Sequence, residues 1–340
     1  MMRTAVMRTA VMRTAVMRTA KHRPLFRART FAGAALAGLS LLIGVAPSPA
    51  AASPSEASAV ASAGCTAAPT QQPGTSVLHT LSSGGRERTY QLRIPAGYSA
   101  DQEWPVVLAY HGRGSTGPDV EKYSGLNSLP AIVAYPNGVI GTGDGNRQAW
   151  QGAPYAAAGV DDVAFTRDLV DALEASWCVD SGRVYATGKS NGGGFTALLA
   201  CRLADRITAV APVAAAFYPA TGANCTPSRP VPVIDFHGTS DSTIPYRGDA
   251  DRGLPAIPTW VDGWAGRNGC TTKQASARIE PDITFTGWTD CTSGADVRHV
   301  AVTGGGHTWP GADSDSGGGA TTRTIEAHEV LWEFFAGRRI

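Results

Sequence analysis

The chain has 340 residues, 43% of them hydrophobic and 17% charged, with 29 basic against 28 acidic side chains. That length and apolar fraction suffice for a large packed core, and the near-neutral balance argues against a nucleic-acid binder or a polyanionic tail. Forty Gly and 22 Pro scattered through varied sequence describe a loop-rich globular protein and not a disordered one.

The N-terminus repeats MRTAV three times from Met2 and then MRTA from Met17, a period too short for any repeat fold. Lys21, Arg23, Arg27 and Arg29 precede an apolar run of 15 residues, 31–45, and Ala50, Ala51 and Ala52 offer small residues before a cut at Ser53. A basic segment, an apolar stretch short for a membrane span and an A-x-A site predict a secretory signal peptide over 1–52. The alternative is an uncleaved membrane anchor. The upstream pentads point to a translation start at Met17. All five Met lie in this leader and all six Cys beyond it. Residues 53–64, rich in Ser and Ala without periodicity, read as a flexible linker, which leaves one folded domain over 65–340. The leader holds eight basic residues and no acidic one, so without it 21 basic face 28 acidic residues, a net charge of −7.

In an exported chain, Cys65, Cys178, Cys201, Cys225, Cys270 and Cys291 are expected to form disulfides. Their spacing contains no C-x-x-C, which makes zinc a poor reading. Six Cys allow 15 pairings. Cys270 with Cys291, flanking a short predicted strand region, is the first expectation, and Cys201 with Cys225 the second.

Strands are predicted at 88–94, 105–110 and 131–135, the last two as continuous apolar runs of the buried kind. Asp161 and Asp162 open a helical pattern that carries Val163, Leu169, Val170, Leu173 and Trp177 on its apolar face. A strand at 183–187, a helix at 191–203, and strands at 209–215, 231–236 and 297–302 follow, and a helix at about 325–335 closes the chain. Strands alternating with helices imply a single α/β domain with a mostly parallel central sheet covered on both faces. No long helical insertion follows Ala215 to form a lid.

Gly188-Lys189-Ser190-Asn191-Gly192 is G-x-S-x-G placed between a predicted strand and a predicted helix. In that setting a sharp strand-to-helix turn lifts the Ser190 hydroxyl above the sheet, as in the α/β-hydrolase fold. A serine nucleophile needs a base and an orienting acid, in chain order Ser, Asp, His for this architecture. The downstream histidines are His237, His299, His307 and His328. His307, in the Gly-rich loop GGGHTWPG after the strand at 297–302, is the candidate base, whereas His299 and His328 sit inside elements and read as structural. Asp241, just past the strand at 231–236, is the candidate acid, with Asp235 as a rival that reads as a buried structural partner. The N–H of Asn191, and that of Arg113 in the loop His111-Gly112-Arg113-Gly114, are the candidate oxyanion donors.

HGRGS, GVDDV, CVDSGRVYATGKSNGGGFTALLAC, FHGTSDSTIPY and GGGHTWPG together resemble secreted feruloyl esterases of carbohydrate esterase family one. They are also similar to the related polyhydroxybutyrate depolymerases and acetyl xylan esterases. The likeness runs in order from about Cys65 to the C-terminus. It implies Ser190 as nucleophile, Asp241 as acid and His307 as base, in agreement with the choice made from the residues. Trp309 would line the acyl or leaving-group pocket by the same likeness, or serve as a packing residue, and Trp150 is a weaker aromatic candidate. Lys189 and the run Asn191 to Gly194 are closer to the feruloyl branch than to the depolymerases. The resemblance implies hydrolysis of esters on a polysaccharide or polyester without metal or cofactor. It implies no nucleic-acid partner, no stable membrane association after leader removal, and a monomer. A secreted binding protein on a hydrolase scaffold is the reading from another class; it would tolerate loss of a triad member. Mapping the N-terminus of the nascent precursor checks the leader: initiation is expected at Met17, and initiation at Met1 would overturn that start.

Overall fold

The computed structural model describes residues 62–143 and 145–340. The predicted leader and most of the predicted linker therefore lie outside the described residues. The end of that linker differs from the expectation. Ser62 Oγ donates to the Trp177 carbonyl (3.1 Å) and accepts the Val179 N–H (2.9 Å). A Cβ on Gly64 would stand 2.2 Å from the Trp177 backbone. Ser62, Ala63 and Gly64 thus belong to the folded body.

In chain order the elements are β1 (Ser76–Ser83), β2 (Arg86–Arg93), β3 (Trp104–Tyr110), α1 (Gly117–Ser124), β4 (Ile132–Pro136), and the small pair β5 (Val139–Ile140) and β6 (Gln148–Ala149). Then come α2 (Asp162–Ser176), β7 (Val179–Lys189), α3 (Asn191–Arg202), β8 (Ala209–Val213), β9 (Val233–Gly238) and α4 (Ile257–Arg267). The chain closes with β10 (Thr272–Lys273), β11 (Ala277–Glu280), β12 (Ile283–Thr289), β13 (Val297–Val302) and α5 (Ala327–Phe335). The large sheet has the order β1-β2-β4-β3-β7-β8-β9-β13-β12-β10, with β11 also paired to β12. Its central strands, β4 through β13 in that order, pair in parallel, and both flanks are antiparallel.

Alternation along β3 shows how the sheet divides two cores. Val106, Leu108 and Tyr110 enter the one shared with α2, α3 and α4, while Val107 and Ala109 enter the one shared with α1 and α5. Burial on both faces is why β3, β4 and β8 read as unbroken apolar runs. The elements that sequence periodicity missed are those with a weak apolar signal. Strand β1 is an edge with mostly exposed side chains. Helix α1 is short and polar, held by a capping box between Thr116 and Asp119. Helix α4 is interrupted by Gly263 and Gly266.

A buried ion pair joins the antiparallel flank to α2. Arg88 Nη2 donates to Asp162 Oδ1 at 2.8 Å, its guanidinium stacked 3.8 Å from the Phe165 ring centre. Asp161, the N-cap, accepts the Ala164 N–H instead. After β8 the chain makes one helical turn, Pro219–Gly222, and no lid helix.

Three disulfides form: Cys65–Cys178, Cys201–Cys225 and Cys270–Cys291. The last two are the pairings expected from sequence. The first closes a span of 113 residues against 24 and 21 for the others. Chain-entropy loss in the unfolded state grows with loop length, giving about 4.8 kcal/mol for the long loop and about 3.4 kcal/mol for the shorter ones. In urea unfolding, the Cys65→Ser/Cys178→Ser protein is therefore expected to lose more stability than the Cys270→Ser/Cys291→Ser protein.

Candidate active site

Strand β7 ends at Lys189 and helix α3 begins at Asn191, so Ser190 alone makes the turn between them, at φ 57° and ψ −120°. A non-glycine residue there is strained and persists only if its surroundings hold it. They do. Ser190 N donates to the Val213 carbonyl (3.0 Å), and its own carbonyl accepts from Gly194 and Ala216. The flanking glycines permit the packing: a Cβ on Gly188 would stand 2.7 Å from the Gly192 carbonyl oxygen, and one on Gly192 2.4 Å from that of Tyr110.

The loop after β3 comes down beside this turn. A Cβ on Gly112 would lie 3.3 Å from the Ser190 Cβ. His111 is fully buried and clamps the loop: Nδ1–H donates to the Gly112 carbonyl (2.7 Å), and Nε2 accepts from the Gly138 N–H (2.9 Å). Burial lowers its pKa to about 4, so the ring is neutral at physiological pH. Among the described residues, the backbone N–H groups of Arg113 and Asn191 have no acceptor. The Asn191 side chain is occupied elsewhere, its Oδ1 accepting the Trp150 N–H (2.8 Å) and its Nδ2 donating to the Trp150 carbonyl (3.3 Å).

Across the sheet top, Asp241 and His307 meet from the loops after β9 and β13. His307 Nδ1 donates to Asp241 Oδ2 at 2.7 Å, and the other carboxylate oxygen accepts the N–H groups of Thr243 and Ile244, each at 2.8 Å. His237 Nε2 donates to the Ile244 carbonyl (2.9 Å) and lies 3.4 Å from Asp241 Oδ2. Burial would push the Asp241 carboxyl up, but its hydrogen bonds to His237, His307 and the Ile244 N–H hold it well below the usual carboxylate range. Burial lowers the His307 pKa, the Lys189 charge lowers it further, and Asp241 opposes both. The result is a neutral ring with the proton on Nδ1 and a free lone pair on Nε2.

Ser190 and His307 border one open cavity of about 550 Å³, with Gly112, Arg113, Tyr155 and Lys189 also on its wall. The rival acid, Asp235, is fully buried and accepts from His299 Nδ1 (2.8 Å), whose Nε2 meets the Tyr246 hydroxyl (2.8 Å). His328 lies on α5, 3.8 Å from Glu326.

Both tryptophans proposed as pocket residues are placed differently. Trp309 is 1% exposed and packs in the core under α1 and α5, 6.0 Å from the Tyr123 ring, away from the cavity wall. Its backbone N–H donates to Ser316 Oγ, and the chain, having presented His307 to the cavity, turns the next large side chain inward. Trp150 is fully buried against Tyr110 and Phe195, its indole N–H bonded to the His111 carbonyl (2.9 Å). It braces the two loops beside Ser190 and does not line the cavity. The residues that do line it and that sequence reasoning passed over, Tyr155, Tyr218 and Arg147, come from irregular segments without a motif.

No protein-family model matches the chain. Over 231 residues it is 32% identical to feruloyl esterase B of Piromyces equi, an alignment covering 64% of this chain and 42% of that protein. Over 280 residues it is 31% identical to the putative esterase NocK of Nocardia uniformis subsp. tsuyamanensis, covering 74% of this chain and 80% of that one. The chain thus spans less than half the length of the Piromyces protein and most of the Nocardia one. An acetyl xylan esterase from Aspergillus awamori has the same fold, with a TM-score of 0.54 at 15% identity over 76% of this chain and 99% of that structure. Sheet order, elbow and loops define an α/β-hydrolase. Within that class the chain belongs to the family of the feruloyl esterases, carbohydrate esterase family one.

Lys189 supplies a test of the electrostatics. Its charge opposes protonation of His307, so Lys189→Met should raise the His307 pKa and move its ring titration, followed by NMR, to higher pH. An unmoved titration would remove Lys189 from the account.

Proposed function

We propose that the protein is a serine carboxylic-ester hydrolase in which Ser190 is the nucleophile, His307 the base and Asp241 the orienting acid. The observation that carries this reading is the 2.7 Å bond that fixes the His307 proton on Nδ1 toward Asp241, with the ring on the same cavity wall as Ser190. His307 Nε2 takes the hydroxyl proton as Ser190 Oγ attacks the ester carbonyl, forming a tetrahedral intermediate. The unengaged N–H groups of Asn191 and Arg113 stabilise its oxyanion, each contributing roughly 3 kcal/mol. His307 then protonates the departing alcohol, leaving an acyl-Ser190 ester. Water, deprotonated by the same ring, attacks that ester and releases the acid. His237 and the N–H groups of Thr243 and Ile244 keep Asp241 ionised through the cycle.

The substrate we propose is a hydroxycinnamoyl ester, ferulate above all, on a plant cell-wall polysaccharide. Its support is the family membership together with an open cavity not covered by a lid helix. The same triad would serve an acetyl xylan esterase or a polyhydroxybutyrate depolymerase. Export, with removal of residues 1–52 and a soluble, monomeric product built as one domain over 65–340, is part of the proposal. It is supported by the three disulfides.

Ser190→Ala should retain the fold and lower hydrolysis of 4-nitrophenyl acetate by roughly 10⁴-fold or more. Retained activity would refute the nucleophile. Wild-type protein offered methyl ferulate, feruloylated arabinoxylan, acetylated xylan and polyhydroxybutyrate granules should favour the feruloyl esters, and a preference for the granules would establish the depolymerase reading.

A further inference from the structure

Among the described residues, the cavity wall beside Ser190 carries five cationic side chains, including Arg113, Arg147, Lys189 and Arg252, against two carboxylates, Asp119 and Asp315. This excess of positive charge stands in a chain that is acidic beyond its leader. Several of these groups are already satisfied. Asp119 accepts from the N–H and hydroxyl of Thr116 and from the Ser115 hydroxyl. Arg252 donates to the Thr243 carbonyl (2.7 Å) and the Tyr218 hydroxyl (3.3 Å). Asp315 accepts the Gly317 N–H (2.9 Å).

Lys122 is exposed, and three cations remain. Lys189 is only 6% exposed and borders the cavity, yet its ammonium has no hydrogen-bond partner among the described residues. The charges of nearby Asp241 and Asp315 favour the ammonium against the cost of burial, but neither carboxylate makes a hydrogen bond to it among the described residues. The Arg113 guanidinium lies 4.2 Å from the Tyr155 ring centre without a hydrogen bond or carboxylate among the described residues, and Arg147 likewise has neither. A buried ammonium without an acceptor is costly to the protein alone and favourable to an anion that enters beside it. Guanidinium groups held over an aromatic face and against a turn are suited to a planar, bidentate acceptor.

We infer that Lys189, Arg113 and Arg147 form a subsite for a carboxylate carried by the substrate. The inference rests on the esterase reading in one respect, the side of the ester on which that carboxylate lies. A feruloyl acyl group ends in a neutral methoxyphenol, so the negative charge belongs to the sugar. The substrate class is then a hydroxycinnamoyl ester on an acidic, uronate-bearing glycan. The subsite orients the sugar as leaving group without taking part in bond making.

The test compares the feruloyl ester of a methyl hexuronoside with the same ester of the parent methyl hexoside. Binding to Ser190→Ala protein is read by calorimetry, so that the answer does not depend on turnover. The uronoside is expected to bind roughly tenfold more tightly at low salt, with the difference shrinking at high ionic strength. Lys189→Met and Arg147→Gln, each introduced with Ser190→Ala, should reduce that ratio several-fold, and unchanged thermal unfolding shows that they fold. Equal binding of the two esters, or a ratio that both variants leave intact, overturns the subsite. So does an equal weakening of both esters by both variants, which would mean a structural role. If the affinity difference persists while wild-type protein hydrolyses neither ester, the esterase reading fails and the anion subsite stands.

Discussion

The strained conformation of Ser190 is the constraint on which the rest of the catalytic end depends. A residue at φ 57° costs of order 1–3 kcal/mol and is kept only where packing leaves it no alternative. Here β8, the segment after it and α3 all attach to it through its own N–H and carbonyl, and three backbone segments converge where Gly188 and Gly192 carry no Cβ. The strain holds the hydroxyl above the sheet and leaves the first N–H of α3 without an acceptor, at the positive end of the helix dipole.

From that turn a chain of buried polar contacts runs outward. Asn191 holds the Trp150 backbone, and Gln151 N donates to Asp162 Oδ2 (2.8 Å), whose other oxygen meets Arg88. Through Trp150 the chain also reaches His111 and its loop. A buried ion pair of this kind gives little net stability, but removing one partner leaves an uncompensated charge and costs about 3–5 kcal/mol. Its value here is positional, since the segments GVDDV, AWQG and HGRG are joined to the elbow through it. The acid side follows the same logic. Asp241 receives two backbone N–H groups and two imidazoles, so its orientation is over-determined and its ionised state secure.

Much of this was legible in the sequence because it obeys local rules. The apolar runs of β3, β4 and β8 reflect burial on both faces. The G-x-S-x-G turn needs only a strand before it and a helix after it, and the pairing of Cys201 with Cys225 and of Cys270 with Cys291 follows short separations. Asp241 and His307, 66 residues apart, could be nominated because each follows a strand and the order Ser, Asp, His admits few others. Elements whose stability comes from partners escaped, such as the exposed edge β1 and the glycine-interrupted α4.

Sequence by itself determined the fold class, the elbow and the short list of chemically competent side chains, because backbone periodicity, glycine placement and residue chemistry are local properties. Tertiary structure alone decided which face each long side chain takes. Trp309 and Trp150 resemble pocket residues in the linear chain, yet both are buried in the cores, because the backbone on either side is already committed to the cavity. Lys189, Arg113 and Arg147, whose charges no sequence motif links, are gathered on one wall. Charge is additive along a sequence, but its field depends on where folding places it, and a balance near zero conceals a cationic site.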